Sequence, residues 1–286
     1  SNMTKQLLSK IEGCYSSMSK GHKRITDYIT ENYDKAAFMT AAKLGDAVGV
    51  SESTVVRFAS ELGFSGYPQL QKTLQEVVKS RLTSVQRMEA AGGEDMLEHA
   101  FSSDIETIKV TRESISREAF NASVEAINRA KHIYVLGVRS AASLASFAAF
   151  YLNFVYDSVT LIEPAGTGEA FDQAFRINKD DVCIAISFPR YSKQTINMLR
   201  FISDRGATVI SVTDSENSPI AQFATHLLLA RSSMVSFVDS LVAPLSLINA
   251  LIAAAASEKS GEVYSNLSSL ENIWDEYQIY QTHEDE

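Results

Sequence analysis

The sequence contains little cysteine, no long apolar run and no overall excess of positive charge. Its two cysteines, Cys14 and Cys183, are too few for a disulfide framework, which excludes a disulfide-stapled secreted domain and fits a reducing compartment. The most apolar stretch, residues 241–256, is too short for a membrane span and is interrupted by polar residues. Residues 3–13 are polar and amphipathic, unlike a secretion signal. We therefore expect a cytoplasmic protein that does not enter the membrane.

The net charge of −9 would by itself argue against a nucleic-acid-binding protein. The charge is unevenly distributed, however. Residues 1–87 carry 12 lysines and arginines against 8 acidic residues, whereas residues 88–286 carry 14 against 27. Only the first part of the chain is thus suited to an anionic polymer such as DNA. Chance unevenness is the alternative, and charge alone does not decide between the two.

The length of 286 residues predicts two domains, since one domain usually has about 100–200 residues. In the first part of the chain, apolar residues at helical spacing predict helices at 21–33, 41–48, 51–62 and 70–87, with Thr40 and Ser51 as caps. Residues 89–94 contain two glycines and form the predicted linker. The predicted domains are therefore an all-α domain over residues 3–88 and a second domain over residues 95–286.

The second domain is predicted to be α/β. Five short apolar strands alternate with helices, at residues 132–136, 159–163, 181–187, 208–213 and 226–230. Such an alternation is typical of a parallel sheet that helices cover on both faces. Two final helices are predicted at 240–256 and 262–280, and both are candidate surfaces for self-association, although the first is equally explained as core.

The helices at 41–48 and 51–62, separated by Gly49 and Val50, have the outline of a helix-turn-helix. The second helix presents short polar residues and one arginine on its outer face, where base edges and phosphates would lie. Arg57 suits a guanine or a phosphate, and the Val56 methyl groups suit a thymine methyl. A generic helical bundle, with Arg57 as a solvated charge, is the alternative. The predicted DNA-binding residues are Ser51, Ser53, Thr54, Val56, Arg57, Ser60 and Lys43.

Residues 50–58, which read VSESTVVRF, and residues 62–67, which read LGFSGY, resemble the signature of the RpiR-type bacterial transcription regulators. The resemblance covers the chain from about Met18 to Trp274. It implies a helix-turn-helix domain joined to a sugar isomerase (SIS) domain. It also implies operator DNA as one partner and a phosphorylated sugar or related anion as the effector. Because helix-turn-helix proteins usually read paired half-sites, we expect a homodimer or homotetramer.

Two loops of the second domain are predicted to bind an anion. Residues 136–141 and 187–195 each follow a strand, carry hydroxyl side chains and lead into a helix, whose N-terminus favours negative charge. By resemblance, Ser140 matches the hydroxyl of the first phosphate loop of SIS domains, and Ser187, Ser192 and Thr195 match positions of the second. Simple helix capping is the alternative for Ser140 and Ser192. Weaker candidates are Glu163, Thr167, Glu169, Ser232 and Ser233.

Both loops depart from the family pattern. Pro189 and Arg190 replace a serine and a glycine of the second loop, and Arg139 stands where glycine is frequent in the first. Because proline lacks a backbone donor and arginine supplies several, we expect Arg139 and Arg190 to contact an anionic effector, with Tyr191 beside them. Alternatively, the two arginines seal the site or pair with acidic neighbours.

A sugar-phosphate isomerase of the SIS type is the alternative function. Isomerisation needs a placed base, and Glu163, Glu169, Asp239 and His226 are available by residue type, but no spacing singles out a pair. The histidines are scattered, and no GxGxxG or P-loop is present, so no metal ion and no cofactor are expected. The attached helix-turn-helix favours a regulator over an enzyme.

Overall fold

The structure is a computed structural model that describes residues 7, 10–11, 13–79, 81–93, 95–163 and 167–281. The chain divides into two compact units. One comprises Ser1–Ala100 with Met234–Asp239 and is called the N-terminal unit here. The other comprises Phe101–Ser233 with Ser240–Glu286 and is called the sheet unit.

The N-terminal unit is built from short helices around one apolar core. Ile25, Leu44, Phe58 and Leu70 are fully buried in that core. The helices are α1 (Lys20–Glu31), α2 (Tyr33–Ala36), α3 (Ala41–Val48), α4 (Glu52–Glu61), α5 (Tyr67–Lys79), α6 (Ser84–Ala90) and the first residues of α7 (Met96–Ser114). The predicted helices at 41–48 and after Ser51 are confirmed, and so is capping by Thr40 and Ser51, whose side chains accept from backbone N–H groups.

The single helix predicted over residues 70–87 is wrong. The structure ends one helix at Lys79 and begins another at Ser84. The break has a local cause, because Thr83 and Gln86 form a capping box in which each side chain bonds the backbone of the other. The short helix α2 was not predicted either.

A hairpin that is distant in sequence completes the N-terminal unit. Strands β6 (Ser233–Val235) and β7 (Val238–Ser240) form a two-stranded sheet, and Met234 packs against the helical core. Asp239 pairs with Arg87, whose side chain is almost completely buried and also donates to the Lys79 carbonyl at 2.8 Å. This hairpin was not predicted, and the helix predicted to begin at residue 240 is wrong there, because the structure has a strand.

The sheet unit contains five parallel strands in the order β2-β1-β3-β4-β5. They are β1 (Ile133–Leu136), β2 (Val159–Ile162), β3 (Val182–Ile186), β4 (Thr208–Thr213) and β5 (His226–Leu229). Helices cover both faces, as predicted: α8 (Arg117–Arg129), α9 (Ala141–Val155) and α12 (Val242–Glu258) pack on one, and α10 (Thr167–Ala174) and α11 (Lys193–Asp204) on the other. The last helix is α13 (Ser260–Glu276).

Two helices of the sheet unit, α10 and α12, differ from or decide between the predictions made for them. Helix α10 was not predicted, and it contains Thr167 and Glu169, two of the weaker ligand candidates. Helix α12 buries Leu247, Ile248 and Leu251, which makes it part of the core. Among the described residues, no helix combines the length and the apolar character that a membrane crossing needs.

The strand order creates a reversal point at the carboxyl end of the sheet. Strand β1 has β2 on one side and β3 on the other, so the connections after β1 and β3 run in opposite directions. In open parallel sheets, ligands bind beyond the carboxyl ends of the strands at such a reversal point. Both predicted anion loops begin there.

Candidate functional site

The two predicted anion loops leave the sheet side by side. Leu136, the last residue of β1, lies opposite Ala185 in β3. The following residue, Gly137, packs so closely on α9 that a Cβ there would lie 2.7 Å from the Ala141 carbonyl oxygen. Glycine is therefore required at this position for the loop to turn directly into the helix.

Both arginines of these loops have a left-handed backbone. The φ angle is 57° at Arg139 and 66° at Arg190, and both residues are exposed. Residues with a Cβ rarely adopt this conformation, because the Cβ crowds the following carbonyl oxygen. Such strain is concentrated at functional sites in proteins. The positions where the family pattern favours glycine therefore keep the glycine-like backbone here while carrying a guanidinium group.

The four hydroxyl residues fall into different environments. Ser140 precedes α9 without any capping hydrogen bond from its side chain, whereas Ser192 caps α11 by accepting from the Gln194 N–H at 3.2 Å. Ser187 is buried, and its N–H donates to the Val212 carbonyl. Thr195 is fully buried, and its Oγ1 has no hydrogen-bond partner among the described residues. An unsatisfied buried hydroxyl is costly, and a ligand oxygen or a water would remove that cost.

The Tyr191 hydroxyl ties the second loop to the neighbouring strand. It donates to Asp214 Oδ1 at 2.7 Å, and Thr213 at the end of β4 donates to the same oxygen at 3.2 Å. Tyr191 thus fixes the shape of the loop that carries Arg190. Direct contact between Tyr191 and a ligand stays a prediction.

The weaker candidates are scattered over the edge of the sheet. Glu163 follows β2, and its backbone N–H donates to the Gln173 side chain at 2.9 Å. Residues 164–166 and the Thr167 side chain lie outside the described residues, and Glu169 is exposed in the first turn of α10. Ser232 is buried beyond β5, and the buried Ser233 Oγ has no hydrogen-bond partner among the described residues.

Asp239, one of the four residues considered as a catalytic base, is not part of the sheet unit. Asp239 lies in the N-terminal unit and pairs with Arg87, so it is not available as the base of an isomerase in the sheet unit. In the described part of the chain, no group of three or more histidine, cysteine and acidic residues is arranged to hold a metal ion.

The helix-turn-helix of the N-terminal unit consists of α3, a tight turn and α4. Gly49 has a φ of 80°, which permits the abrupt end of α3. Gly45 inside α3 is equally constrained, since a Cβ there would lie 2.7 Å from the Val50 carbonyl oxygen. Gly45 was not predicted to matter, although a glycine inside a predicted helix indicates close packing.

The structure brings six predicted DNA-binding residues together at the start and on the outer face of α4. Val55, Phe58 and Ala59 form its buried inner face. Ser51 caps the helix and lies 3.0 Å from Ser53 Oγ and 2.8 Å from Thr54 Oγ1. The outer residues Ser51, Ser53, Val56, Arg57 and Ser60 are exposed, and Thr54 is half-buried. Lys43 is exposed on the neighbouring helix α3.

An anchor between α1 and α4 was not predicted. His22 is buried, and its Nδ1 lies 2.8 Å from a carboxylate oxygen of Glu61. Its ring meets Phe58 edge-on, with 5.5 Å between the centroids. Glu61, whose negative charge by itself would oppose DNA binding, therefore has a structural partner. A cavity of about 480 Å³ borders this anchor, and its lining includes Ser19, Gly21, Val50, Ser51, Thr54 and Arg57.

Two family profiles match the chain. The profile described as "Helix-turn-helix domain, rpiR family" matches residues 5–81. The profile described as "SIS domain" matches residues 126–254. The first match contains the whole helix-turn-helix, and the second contains the five strands of the parallel sheet and both arginine loops.

Relatives match both parts of the chain. HexR, an HTH-type transcriptional regulator of Pseudomonas aeruginosa, is 25% identical over 77% of each chain. The sugar isomerase domain of an RpiR transcription factor from Sphaerobacter thermophilus matches with a TM-score of 0.59 and 28% identity, over 63% of this chain and 99% of that one.

A second structure matches nearly the full length. NanR of Vibrio vulnificus, solved with ManNAc-6P, has a TM-score of 0.59 and 22% identity, over 95% of this chain and 98% of that chain. At this identity the match establishes the shared fold alone. Together with the helix-turn-helix, the regulator names of its relatives identify the chain as a regulator and not a sugar isomerase. The chain belongs to the RpiR family of helix-turn-helix transcriptional regulators that carry a SIS domain.

Proposed function

We propose that this regulator binds a phosphorylated sugar, or a closely related anionic metabolite, in the crevice between the loops that follow β1 and β3, and that the bound ligand changes its affinity for operator DNA. The observation that carries the proposal is the pair of exposed arginines, Arg139 and Arg190, held in left-handed backbone at the openings of both loops. The NanR structure with ManNAc-6P supports the ligand class, because that protein shares the fold.

The chemistry of the crevice suits binding without catalysis. Guanidinium groups hold phosphate oxygens bidentately, and the N-termini of α9 and α11 add favourable dipoles. Ser140 and Thr195 are the hydroxyls best placed to donate to the ligand, since Ser140 makes no capping bond and Thr195 Oγ1 is unsatisfied. Ser187, Tyr191 and Ser192 act by shaping the second loop.

In the N-terminal unit, we propose that α4 enters the major groove. Arg57 and Val56 then meet base edges, while Ser51, Ser53, Thr54 and Ser60 contact phosphates and the edges of neighbouring bases. Lys43 on α3 supplies a phosphate contact. The functional division that accompanies this proposal is a DNA-binding domain over residues 3–88, a linker over residues 89–94 and an effector domain over residues 95–286.

We also propose that the protein works in the cytoplasm as a homodimer or homotetramer. A helix-turn-helix usually reads two half-sites, and the two-fold symmetry of a dimer matches a palindromic operator. Of the two helices predicted as self-association surfaces, α12 is core, whereas α13 exposes large apolar side chains such as Tyr264 and Ile273. Ligand binding then shifts the population of arrangements of the paired DNA-binding domains.

The test is a ligand screen by thermal unfolding of the full chain, with hexose 6-phosphates, sugar acids, free hexoses and inorganic phosphate. A ligand at about 100 times its dissociation constant adds about 2.7 kcal/mol to the free energy of unfolding. We expect a phosphorylated sugar to stabilise the wild type and to lose this effect in the R139A/R190A variant, while a K179A/R205A control with the same charge change keeps it. An unchanged affinity in R139A/R190A would remove the arginines from the site.

The same ligand is then titrated into a complex of the protein with its operator, and anisotropy reports the DNA affinity. The proposal requires a change in operator affinity that free hexoses do not produce. Stabilisation by carboxylates or neutral polyols alone would show that the arginine loops serve another class of ligand.

A further inference from the structure

Helix α1 presents a basic face near its amino end. Lys20 and Arg24 are both exposed, and their spacing of four residues places them on the same side of the helix. The first turn of α1 contains no acidic residue. Among the described residues, neither of the two side chains forms an ion pair. Both positive charges are therefore available to an anionic partner.

The amino end of α1 packs directly against the start of α4. A Cβ on Gly21 would lie 3.5 Å from Thr54 Cγ2 and 3.5 Å from Val50 Cγ1. The Arg24 guanidinium reaches the turn between α3 and α4, where its Nη1 lies 3.6 Å from the position of a Cβ on Gly49. The basic face of α1 thus adjoins the part of the helix-turn-helix from which α4 begins.

The cavity of about 480 Å³ lies between these two helix starts. Ser19 lines it from α1, and Thr54 and Arg57 line it from α4. Hydroxyl and guanidinium groups are the side-chain groups that commonly contact DNA phosphates. Glu61 also borders the cavity, but one of its carboxylate oxygens lies 2.8 Å from Nδ1 of the buried His22. The same contact ties α1 to α4, so the basic face has a fixed position relative to the outer side chains of α4.

The charges along α1 favour its amino end as the side that meets DNA. Asp27 accepts a hydrogen bond from the Tyr15 hydroxyl at 3.3 Å. Glu31 is the last residue of the helix, about 16 Å along the axis from Lys20. Lys23 turns to the other flank, where its ammonium lies 5.4 Å from the centre of the Tyr15 ring. The helix therefore carries one cation outside the basic face, which serves as an internal control.

We propose that α1 is a second DNA-contacting element of this regulator, in which Lys20 and Arg24 bind phosphates of the strand that passes the start of α4. This rests on the proposed entry of α4 into the major groove, where the amino-terminal residues of a recognition helix meet base edges. Each DNA strand carries one phosphate per about 3.4 Å of helix axis, so a basic face beside the start of α4 meets several negative charges. Such backbone contacts fix the register of a recognition helix on the duplex.

Anisotropy titrations of the full chain at several salt concentrations test the proposal. The probes are a random-sequence duplex and an operator duplex that the wild type selects from a random pool. Each lost phosphate contact lowers the slope of log affinity against log salt by about 0.9. We expect the K20A/R24A variant to lose the same factor in affinity on both duplexes, and its slope to fall by about 1.8 for each copy of the chain on the DNA. A slope equal to that of the wild type would overturn the proposal.

Lys23→Ala and Lys35→Ala are the matched controls, since each removes one positive charge from the N-terminal unit. Lys35 lies on α2, which follows the carboxyl end of α1. Neither control should lower the slope. An equal fall in Lys23→Ala and Lys20→Ala would overturn the proposed face and assign the effect to the net charge of the unit.

Ethylation of single phosphates locates the contacts directly. Phosphates whose ethylation weakens binding of the wild type, but not of K20A/R24A, are those that α1 binds. We expect them beside the bases at which Arg57→Ala relaxes the sequence preference. Identical interference patterns for wild type and variant, with the effect of Arg57→Ala intact, would overturn the role of α1 alone. A wild type that binds neither duplex would overturn the placement of α4 in the groove as well.

Discussion

Arg139 and Arg190 share a left-handed backbone conformation in two loops that leave the neighbouring strands β1 and β3. Their φ angles are 57° and 66°, in the range that glycine adopts without strain. Two residues with the same long, charged side chain keep this strained conformation in corresponding loops of one proposed site. We infer that the contribution of the two guanidinium groups to ligand binding offsets the backbone strain. This relationship leads to a test that separates stability from ligand affinity.

Replacing either arginine by glycine should stabilise the sheet unit and weaken ligand binding. Release of left-handed strain is expected to add roughly 0.5–1 kcal/mol to the free energy of unfolding per site. Loss of the guanidinium removes a charge-assisted contact with the anion. Trp274, the one tryptophan of the chain, lies in the sheet unit, so its fluorescence during urea unfolding measures the effect there.

Ser236→Gly is the matched control, because Ser236 has a φ of 61° in the hairpin of the N-terminal unit. It should leave ligand affinity unchanged. If Arg139→Gly and Arg190→Gly kept full affinity, the strain would have no connection with the ligand.

Arg57→Ala should weaken operator binding. If Arg57 reads a base, the loss is about 1–3 kcal/mol on the operator and much smaller on random DNA. An equal loss on both DNAs would make Arg57 a phosphate contact, and it would also lower the slope of affinity against salt. Fluorescence anisotropy at several salt concentrations measures both quantities. Lys179→Ala, which removes one positive charge from the sheet unit, should change neither.

Asp239→Ala should destabilise the N-terminal unit by about 3–5 kcal/mol, since it leaves the buried Arg87 guanidinium without its counter-ion. Amide hydrogen exchange in α5 and α6 measures this locally. The double variant R87M/D239L should recover most of the stability, because an apolar pair needs no compensating charge. Unchanged protection in Asp239→Ala would mean that the hairpin contributes nothing to the unit.

The stability of the sheet unit should fall as the pH drops. His132 bonds Thr160 through Nε2 at 2.7 Å and Ser158 through Nδ1. Burial lowers the pKa of His132 below its ordinary value of 6.5, and the nearby Asp181 carboxylate opposes this shift only in part. The unfolded state therefore binds a proton more readily than the folded state, so the stabilisation is fully present above the unfolded pKa and is lost as pH falls toward the folded pKa.

Urea unfolding followed by Trp274 fluorescence between about pH 5.5 and about pH 7.5 tests this linkage. His132→Gln should flatten the dependence of unfolding free energy on pH, because a glutamine can keep both hydrogen bonds without titrating. A slope as steep in His132→Gln as in the wild type would assign the pH dependence to other groups.

Much of the fold could be predicted because its signals are local. The helix-turn-helix follows from the apolar stripe of Val55, Phe58 and Ala59 and from capping by Thr40 and Ser51. The five strands follow from short apolar runs between helical stretches, and the order of elements along the chain implies the parallel sheet. The two arginine loops were identified by comparison with a family pattern, since their residue types alone would fit many loops.

The error over residues 70–87 has a local origin, because the Thr83/Gln86 capping box that starts a new helix at Ser84 was overlooked. The other error arose where distant parts of the chain interact. The hairpin that contains Met234 and Asp239 is stabilised by the N-terminal unit, which precedes it by about 150 positions. No residue pattern within the hairpin itself predicts that it packs against the N-terminal unit.

The sequence by itself determined which segments form helices or strands and the order in which they follow one another, because periodicity, caps and glycines act over a few residues. It also determined the family, through the string around Arg57. The tertiary structure alone decided that Arg139 and Arg190 share one strained conformation, that Thr195 Oγ1 is buried without a partner, and that Asp239 serves Arg87 instead of the ligand crevice. Those facts depend on which distant residues share a low-dielectric interior, and burial and contact across the chain are properties of the folded state.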